Sequence, residues 1–349
     1  MGTPVLVSER PSVSVIVPAR NEESCLGACL ESLVSQTGVA FEIIVIDDGS
    51  TDRTQAIALS YPGVRVIEPG PLPPGWTGKN NAVTAGAKQA RGEWLLFTDA
   101  DTVHRPGSLA RAVAEARVQG AALLSYSPEQ EVHTFWEKAV MPVIFAELAV
   151  TYRPAEVSDP NSPAAAANGQ YLLVSRQAYE AVGGHAAVAT SLLEDVALAR
   201  AVKLSGRKIF FRFGGDAVCT RMYRTLPQLT EGWTKNLALL FSDPGRLALG
   251  RLVEFTTILS GAGFALFSWL RGSPEFAITA SVLTAILWGF LLKRIRRAHF
   301  SWDANMLALL GLPLFSYLLL RSKLFYKRGQ VSWKGRTYSS NPAHIMPVS

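Results

Sequence analysis

Three apolar runs in the first hundred residues are each followed directly by a cluster of polar side chains. The runs cover residues 13–17, 41–46 and 94–98. Apart from Ser14, Glu42 and Thr98, their residues are apolar without a regular alternation, which is typical of strands buried on both faces of a parallel sheet. Helical patterns at residues 22–34 and 81–90 separate them, and further strands are predicted at residues 64–67 and 170–174. This alternation predicts an α/β fold with a mostly parallel sheet.

The polar clusters stand where the predicted strands end. They are Pro18 to Glu23, Asp47-Asp48 and Asp99-Ala100-Asp101. Ligands of open α/β sheets bind at the carboxyl ends of the strands, so we expect these clusters to share one site. The third cluster ends its strand, so alternation places the Asp99 and Asp101 carboxylates on the same side, with the small Ala100 between them. Two carboxylates suit Mg²⁺ or Mn²⁺ carrying a diphosphate.

The last third of the chain has a different composition. Residues 255–270, 276–292 and 304–320 are almost free of charge, and each approaches the length of a bilayer span. They raise the mean hydropathy of the chain to +0.18, which is high for a soluble protein. The net charge is +6, and many Lys and Arg residues flank these segments. Attraction to an anionic membrane surface therefore explains the charge better than nucleic-acid binding, and no nucleic-acid partner is expected.

The distribution of Lys and Arg predicts the orientation of these segments. Only Arg271 lies between the first two, whereas clusters of basic residues follow the second and the third. This fits a hairpin in the cytoplasmic (inner) membrane with both ends, and the chain before it, in the cytoplasm. Gly311 and Pro313 interrupt the third segment. We therefore expect that segment to be re-entrant or interfacial and the basic tail to return to the cytoplasmic face.

Four short motifs, in this order and at this spacing, resemble the family 2 glycosyltransferases with the GT-A fold. The motifs are Val17-Pro18-Ala19-Arg20-Asn21-Glu22-Glu23, Asp47-Asp48-Gly49-Ser50-Thr51-Asp52, Asp99-Ala100-Asp101 and Glu194-Asp195. The resemblance implies a Rossmann-like GT-A catalytic domain and an enzyme that uses a nucleotide-sugar donor.

The resemblance also implies a role for each motif. The residues that would bind the nucleotide-sugar, mainly its nucleoside, are Pro18, Ala19, Arg20, Glu22, Asp47 and Asp48. Asp99 would lie near the ribose and phosphates, and with Asp101 it would hold the metal, which neutralises charge on the diphosphate. Asp195, with Glu194 beside it, would be the general base of an inverting transfer. Taken alone, these two residues could instead cap the first turn of a helix.

Further motifs resemble the carotenoid and hopanoid branch of this family, and they extend through the apolar region to the tail. They are residues 74–80, 183–185, 221–224, 231–235 and 333–338. This branch implies a UDP-sugar donor, with UDP-glucose as the favoured one, and an apolar isoprenoid acceptor. Lys79 follows a Gly-containing loop and opens a helix, where a cation could hold the diphosphate. A solvated surface Lys is the alternative.

Four residues are candidates for the acceptor side of the site: His185, Tyr223, Arg224 and Trp233. The last three stand where processive relatives carry a Gln-x-x-Arg-Trp motif. The match is loose, which favours a single transfer over chain extension. His185 could equally be a plain loop residue.

These patterns divide the chain into four parts: a flexible tail (1–11), a GT-A domain (12–245), a membrane region of two to three helices (246–325) and a basic cytoplasmic tail (326–349). Within the GT-A domain, residues 132–152 predict a helix, either in the core or at a membrane interface, and residues 154–168 predict a loop. We expect a metal-dependent membrane enzyme that glycosylates an isoprenoid lipid. Sugar transfer to polyprenyl phosphate or a cell-surface glycan stays open, as does an inactive glycosyltransferase-like scaffold.

Overall fold

The computed structural model describes residues 11–333 and 335–338, so most of the predicted N-terminal tail and much of the predicted basic tail lie outside the described residues. The strands are β1 (Val13–Ala19), β2 (Phe41–Asp47), β3 (Val64–Ile67), β4 (Trp94–Phe97), β5 (Thr102–His104), β6 (Leu123–Ser127), β7 (Glu129–Gln130), β8 (Leu172–Ser175), β9 (Ile209–Phe213), β10 (Val218–Thr220), β11 (Val331–Trp333) and β12 (Arg336–Tyr338). The α-helices are α1 (Leu26–Val34), α2 (Thr54–Leu59), α3 (Gly78–Gln89), α4 (Ser108–Gln119), α5 (Phe135–Thr151), α6 (Pro154–Ser158), α7 (Arg176–Ala181), α8 (Glu194–Leu204), α9 (Leu226–Leu240), α10 (Pro244–Leu270), α11 (Pro274–Ile295) and α12 (Trp302–Lys327).

The chain forms two compact units. The first contains the described residues up to Glu129 together with Pro154–Arg221, and the second contains Gln130–Arg153 and the described residues from Met222 onward. Helix α5 therefore belongs to the same unit as the three long apolar helices. The domain boundaries predicted at residues 245 and 325 stay a prediction.

A seven-stranded sheet of order β3-β2-β1-β4-β8-β6-β9 forms the centre of the first unit. At the centre of the sheet, β1 is parallel to β2 and β4, while β8 is antiparallel to β4 and β6. The outer pairs β2–β3 and β6–β9 are parallel. The predicted mostly parallel α/β sheet is confirmed.

Both faces of the central strands are covered, which is why the apolar runs do not alternate. Val15 and Val17 of β1 belong to a core cluster with Leu26 and Leu30 of α1. The next residue in the strand, Ile16, points to the other face, where its side chain lies against Gly86 of α3. One strand thus contributes to two hydrophobic layers.

Two local predictions are wrong. Helix α1 begins at Leu26 and not at Glu22, because the backbone N–H groups of Glu22 and Glu23 donate to the side chains of Thr54 (2.7 Å) and Asp52 (3.1 Å). These bonds hold the preceding turn outside the helix. The stretch 154–168, predicted as a loop, begins with the short helix α6.

The second unit contains three helices that are long and apolar enough to cross a membrane: α10, α11 and α12. At about 1.5 Å per residue, each reaches the ~30 Å thickness of a hydrocarbon core. Their burial within the protein differs. The most apolar window is 17% buried in the first, 11% in the second and 50% in the third. The first two windows therefore have few buried residues, whereas half of the third window is buried in the protein.

Helix α12 runs without a break through Gly311 and Pro313, so the interruption predicted at these residues is wrong. Gly311 has a packing role instead. A β-carbon at this position would overlap the carbonyl oxygen of Ala139 in α5, so the absence of a side chain lets the two helices approach closely.

Candidate active site

The site lies at the edge of the large sheet where β1, β2 and β4 end. These three strands are parallel neighbours, so their carboxyl ends meet. Strand β8 runs the opposite way, so its first residues enter at the same edge. Six of the predicted site residues line one small cavity there: Pro18, Lys79, Asp99, His185, Glu194 and Asp195. The cavity has a volume of about 10 Å³, which is room for one water molecule.

The loops after β1 and β2 are joined by hydrogen bonds. The Arg20 guanidinium donates to the Asp48 carbonyl oxygen (2.6 Å), and the Asp48 N–H donates to the Ala19 carbonyl oxygen (2.8 Å). Asn21 adopts a left-handed conformation with φ of 54°, and its side-chain oxygen accepts the N–H of Thr51 (2.8 Å). The two predicted nucleoside-binding motifs therefore form one framework.

Two acidic residues of this framework have local partners. The buried Asp47 carboxylate accepts the backbone N–H of Ser50 (3.1 Å), which stabilises the turn after β2. The Glu22 carboxylate accepts the thiol of Cys25 (3.2 Å). The nucleoside-binding roles of Pro18, Ala19, Arg20, Glu22, Asp47 and Asp48 stay predictions.

Lys79 stands between two carboxylates. Its ammonium is 2.8 Å from Asp99 Oδ1 and 2.8 Å from Glu194 Oε1. Burial alone lowers the pKa of Lys79, but the negative charges of Asp99 and Glu194 outweigh burial and raise its pKa well above the usual value. Lys79 is therefore charged and engaged in the site, which differs from a lysine solvated on the surface.

Asp195 is held at the first turn of α8. Its Oδ2 accepts the backbone N–H of Gly169 (2.8 Å), and its Oδ1 accepts the backbone N–H of Val196 (2.8 Å). Burial and the neighbouring Glu194 raise the pKa of Asp195, while Lys79 acts in the opposite direction. A carboxylate with a raised pKa is a stronger proton acceptor than an ordinary one.

Gly169 brings the chain before β8 close to these charges. A β-carbon here would lie 3.1 Å from the Lys79 ammonium and 3.5 Å from Asp195 Oδ2. Because glycine has no side chain that could bind a ligand, the sequence analysis did not identify this position as part of the site. Its proximity to the acidic pair depends on the antiparallel direction of β8, which the mostly parallel pattern does not reveal.

Asn80 is a second residue that the sequence analysis did not assign to the site. Its side-chain amide nitrogen donates to the backbone carbonyl oxygens of Val188 (3.1 Å), Ala189 (2.9 Å) and Ser191 (3.0 Å). These bonds tie the start of α3 to the segment that leads into Glu194. Asn80 therefore positions Lys79 and the acidic pair relative to one another. Its place directly after Lys79 in the 74–80 motif was the available signal.

The Asp99-Ala100-Asp101 triplet lies in a turn. Strand β4 ends at Phe97, and the N–H of Thr102 donates back to the Asp99 carbonyl oxygen (3.3 Å). The expectation that strand alternation aligns the two carboxylates is therefore wrong, because the backbone is not extended here. Hydroxyl groups anchor the turn: Thr102 donates to the Asp99 carbonyl (2.6 Å), and Thr220 of β10 donates to the Asp101 carbonyl (3.0 Å).

The donor chemistry of this turn fits a metal that arrives with a substrate. Among residues 11–333 and 335–338, no group of three or more His, Cys, Asp or Glu side chains could hold a metal ion by itself. Asp99 and Asp101 nevertheless supply hard carboxylate oxygens. Mg²⁺ commonly binds through one or two carboxylates while substrate phosphates provide further oxygens. The predicted metal residues suit that mode.

His185 is buried beside the acidic pair. Its Nδ1 is 3.0 Å from the Tyr179 hydroxyl, and its backbone N–H also donates to that hydroxyl (3.1 Å). Its ring packs edge-on against Phe97, with the centroids 4.5 Å apart. Burial lowers the pKa of His185 to about 4, so the imidazole is neutral at physiological pH. Its predicted acceptor-side role stays a prediction.

The other predicted acceptor-side residues belong to the second unit. Tyr223 and Trp233 are buried in its core, with ring centroids 6.0 Å apart. The Trp233 indole N–H donates to the Met141 sulfur (3.3 Å), whereas Arg224 is exposed. Tyr223 and Trp233 thus have a packing role in this structure, and contact of these three residues with an acceptor stays a prediction.

The fold and the site define a class of protein: a GT-A glycosyltransferase, with an acidic turn after the fourth strand and a carboxylate pair opening a later helix. The structure of mannosyltransferase PcManGT from Pyrobaculum calidifontis, in complex with GDP-Man and Mn²⁺, is similar at a TM-score of 0.53 and 18% identity, covering 91% of this chain and 87% of that chain. At this identity the likeness shows a shared fold.

Sequence comparisons identify the family. The model for glycosyl transferase family 2 matches residues 14–182. The 4,4'-diaponeurosporenoate glycosyltransferase of Staphylococcus aureus strain MRSA252 is 30% identical over 337 residues, covering 94% of this chain and 88% of that protein. The protein of the same name from strain N315 is 30% identical over 345 residues, covering 97% and 91%. The chain belongs to glycosyltransferase family 2 and is a glycosyltransferase.

Proposed function

We propose that this chain transfers glucose from UDP-glucose to an isoprenoid lipid of the carotenoid or hopanoid type, with inversion and with Mg²⁺ or Mn²⁺. The observation that carries the proposal is the cluster of Lys79, Asp99, Glu194 and Asp195 at the carboxyl edge of the sheet. It combines a cation for a diphosphate with a carboxylate of raised pKa. Relatives named 4,4'-diaponeurosporenoate glycosyltransferases support the isoprenoid acceptor.

The donor binds across the strand ends. The framework formed by Pro18, Ala19, Arg20 and Asp48 holds the nucleoside, and Lys79 moves from its carboxylates to the diphosphate. Asp99 and Asp101 hold the metal, which supplies positive charge for the leaving diphosphate. Because the cavity holds only about one water molecule in its present form, displacement of the Lys79 ammonium accompanies donor binding.

Asp195 serves as the general base, and Gly169 fixes its orientation. The acceptor oxygen attacks the anomeric carbon of the glucosyl group, and its proton passes to Asp195. The bond between that carbon and the diphosphate oxygen breaks, and UDP leaves with the bonding electrons. When Lys79 turns to the diphosphate, Asp195 loses a nearby positive charge that lowers its pKa, so donor binding strengthens the base.

The second unit attaches the enzyme to the cytoplasmic membrane. Helices α10 and α11 form the hairpin in the bilayer, supported by their low burial within the protein. Helix α12, half of whose apolar window is covered by protein, lies at the cytoplasmic interface. The GT-A domain then faces the cytoplasm, where UDP-sugars are available, and a lipid acceptor reaches the site from the bilayer.

The base bears on the type of acceptor. A carboxylic acid is already ionised at neutral pH and hardly needs a base, whereas an alcohol does. The constrained Asp195 therefore favours a hydroxylated lipid.

A transfer assay tests the proposal. Purified protein is incubated with labelled UDP-glucose and Mg²⁺, and with a carotenoid alcohol, the matched carotenoid acid or a polyprenyl phosphate. We expect labelled product with the isoprenoid alcohol and its loss in Asp101→Ala. Product only with polyprenyl phosphate would support the alternative acceptor. Equal turnover in wild type and Asp101→Ala would contradict the metal role, and no turnover of UDP-glucose by wild type with any of the three acceptors would contradict the proposed donor.

A further inference from the structure

A groove in the second unit contains an arginine and a glutamate that make no ion pair within the part of the chain that the structure describes. Its volume is about 400 Å³, which is in the range of small-molecule sites. Helix α9 contributes Leu226, Pro227, Glu231 and Thr234, and α12 contributes Arg321 and Phe325. None of these residues has a role in the proposed transfer reaction.

Arg321 is held in a fixed orientation. Its Nε donates to Thr234 Oγ1 (3.1 Å), and its Nη1 donates to the Tyr317 hydroxyl (3.3 Å). Its guanidinium carbon lies 4.2 Å from the centre of the Phe325 ring. A guanidinium has five N–H donors, and in the described part of the chain these bonds use two of them and go to no carboxylate. An oriented guanidinium with spare donors is suited to an anionic phosphate.

Glu231 supplies the opposite charge in the same groove. Its carboxylate makes no ion pair among residues 11–333 and 335–338, although Arg321 lines the same space. An anion alone would be repelled by Glu231, and a cation alone by Arg321. A ligand that carries a phosphate and an ammonium a short distance apart satisfies both side chains.

The position of the groove indicates where such a ligand comes from. The apolar run of α12 ends at Leu320, and Arg321 is the next residue. Basic and aromatic residues at the end of an apolar membrane segment lie at the level of the lipid headgroups. Leu226, Pro227 and Phe325 give the groove an apolar side, which a glycerol backbone or acyl chain would contact.

We propose that this groove binds the headgroup of a zwitterionic aminophospholipid, with the phosphate on Arg321 and the ammonium beside Glu231. The lipid comes from the surrounding bilayer. The inference rests on the membrane placement proposed above, but binding is measured without sugar transfer, so each can fail without the other.

Native mass spectrometry of the purified full chain in detergent tests this. The probes are a short-chain phosphatidylethanolamine, its N-acetyl derivative, which lacks the ammonium charge, and phosphatidylglycerol. A hydrogen bond to a charged group is stronger than one to a neutral group, so we expect wild type to prefer phosphatidylethanolamine by about tenfold or more. Free phosphoethanolamine, without acyl chains, should bind more weakly than the lipid. Equal binding of the lipid and the free headgroup would overturn the bilayer source.

Variants assign the two charges. Arg321→Gln should weaken all three lipids, and Glu231→Gln should bind the N-acetyl lipid as well as the parent lipid. Lys323→Gln is the matched control, since this residue is on the same helix but 58% exposed and outside the groove. The wild-type comparison needs no variant, so a variant that fails to fold leaves a test in place. No preference of wild type for phosphatidylethanolamine over its N-acetyl derivative, or unchanged selectivity in Glu231→Gln, would overturn the proposal.

Discussion

Replacement of Lys79 by Met removes the only positive charge that the described contacts place between Asp99 and Glu194. Both ion pairs are 2.8 Å long, and the side chains are 35% exposed for Lys79, 29% for Asp99 and 9% for Glu194. Loss of one partner from a fully buried pair costs about 3–5 kcal/mol. Solvent screening at this exposure reduces the expected loss of unfolding free energy to about 1–2 kcal/mol.

The effect on catalysis should be larger. Removal of a group that stabilises charge in the transition state costs about 10²–10³ in rate, so kcat/KM for UDP-glucose in Lys79→Met should fall by about that factor. Thermal unfolding is measured in parallel. Lys88→Met is the control, because Lys88 is exposed on the same helix and should keep wild-type activity and stability.

The pH dependence distinguishes a direct role from a structural one. Asp195 must be ionised to accept a proton, so activity is lost as the pH falls through its raised pKa. Lys79 lowers that pKa, against burial and Glu194, which raise it. Its removal should therefore move the acidic limb of kcat/KM to higher pH. A variant within threefold (about 0.7 kcal/mol) of wild type, with the acidic limb unmoved, would refute this reasoning.

Three further predictions concern residues that position the site or the helices. Gly169→Ala places a methyl group beside Lys79 and Asp195 and should lower kcat by about tenfold or more. Gly70→Ala is the control, because Gly70 has open space around it. A wild-type kcat in Gly169→Ala would show that the loop adjusts freely. Asn80→Ala removes three hydrogen bonds and should lower kcat more than it raises KM. The free energy of unfolding should fall by about 1–3 kcal/mol. An unchanged kcat in steady-state assays would rule out a positioning role. Gly311→Ala pushes α12 away from Ala139, and this overpacking should lower the free energy of unfolding by about 1–3 kcal/mol. The loss is measured as unfolding at a lower denaturant concentration, and Gly289→Ala in α11 should be neutral. Equal stability of the two variants would contradict the close packing.

The parts of the site that the sequence predicted are those set by local pattern. Buried strands are apolar and end where the chain turns, so the positions of Pro18, Asp48 and Asp99 followed from their neighbours. Helix α8 begins at Glu194, as its acidic first turn predicts. Strand ends and helix starts are determined by a few neighbouring residues, so the sequence alone can predict them.

The remaining parts depend on contacts between distant residues. Asn80 bonds to carbonyl groups more than a hundred positions away, and Gly169 reaches Asp195 only because β8 is antiparallel. Glycine has a low helix propensity, but position 311 requires it because the backbone of α5 leaves no space for a side chain there. Tertiary packing decided each of these positions, and local propensity carries no information about it.

Lipid extracts from cells test the central claim most directly. Wild type, Asp195→Asn and Asp99→Asn are expressed at equal levels in a host that makes the isoprenoid acceptor, and the extracts are compared by mass spectrometry. The account predicts an isoprenoid carrying one added hexose with wild type, and its loss in both variants. Absence of any hexosylated lipid with wild type, or full product with Asp195→Asn, would contradict it.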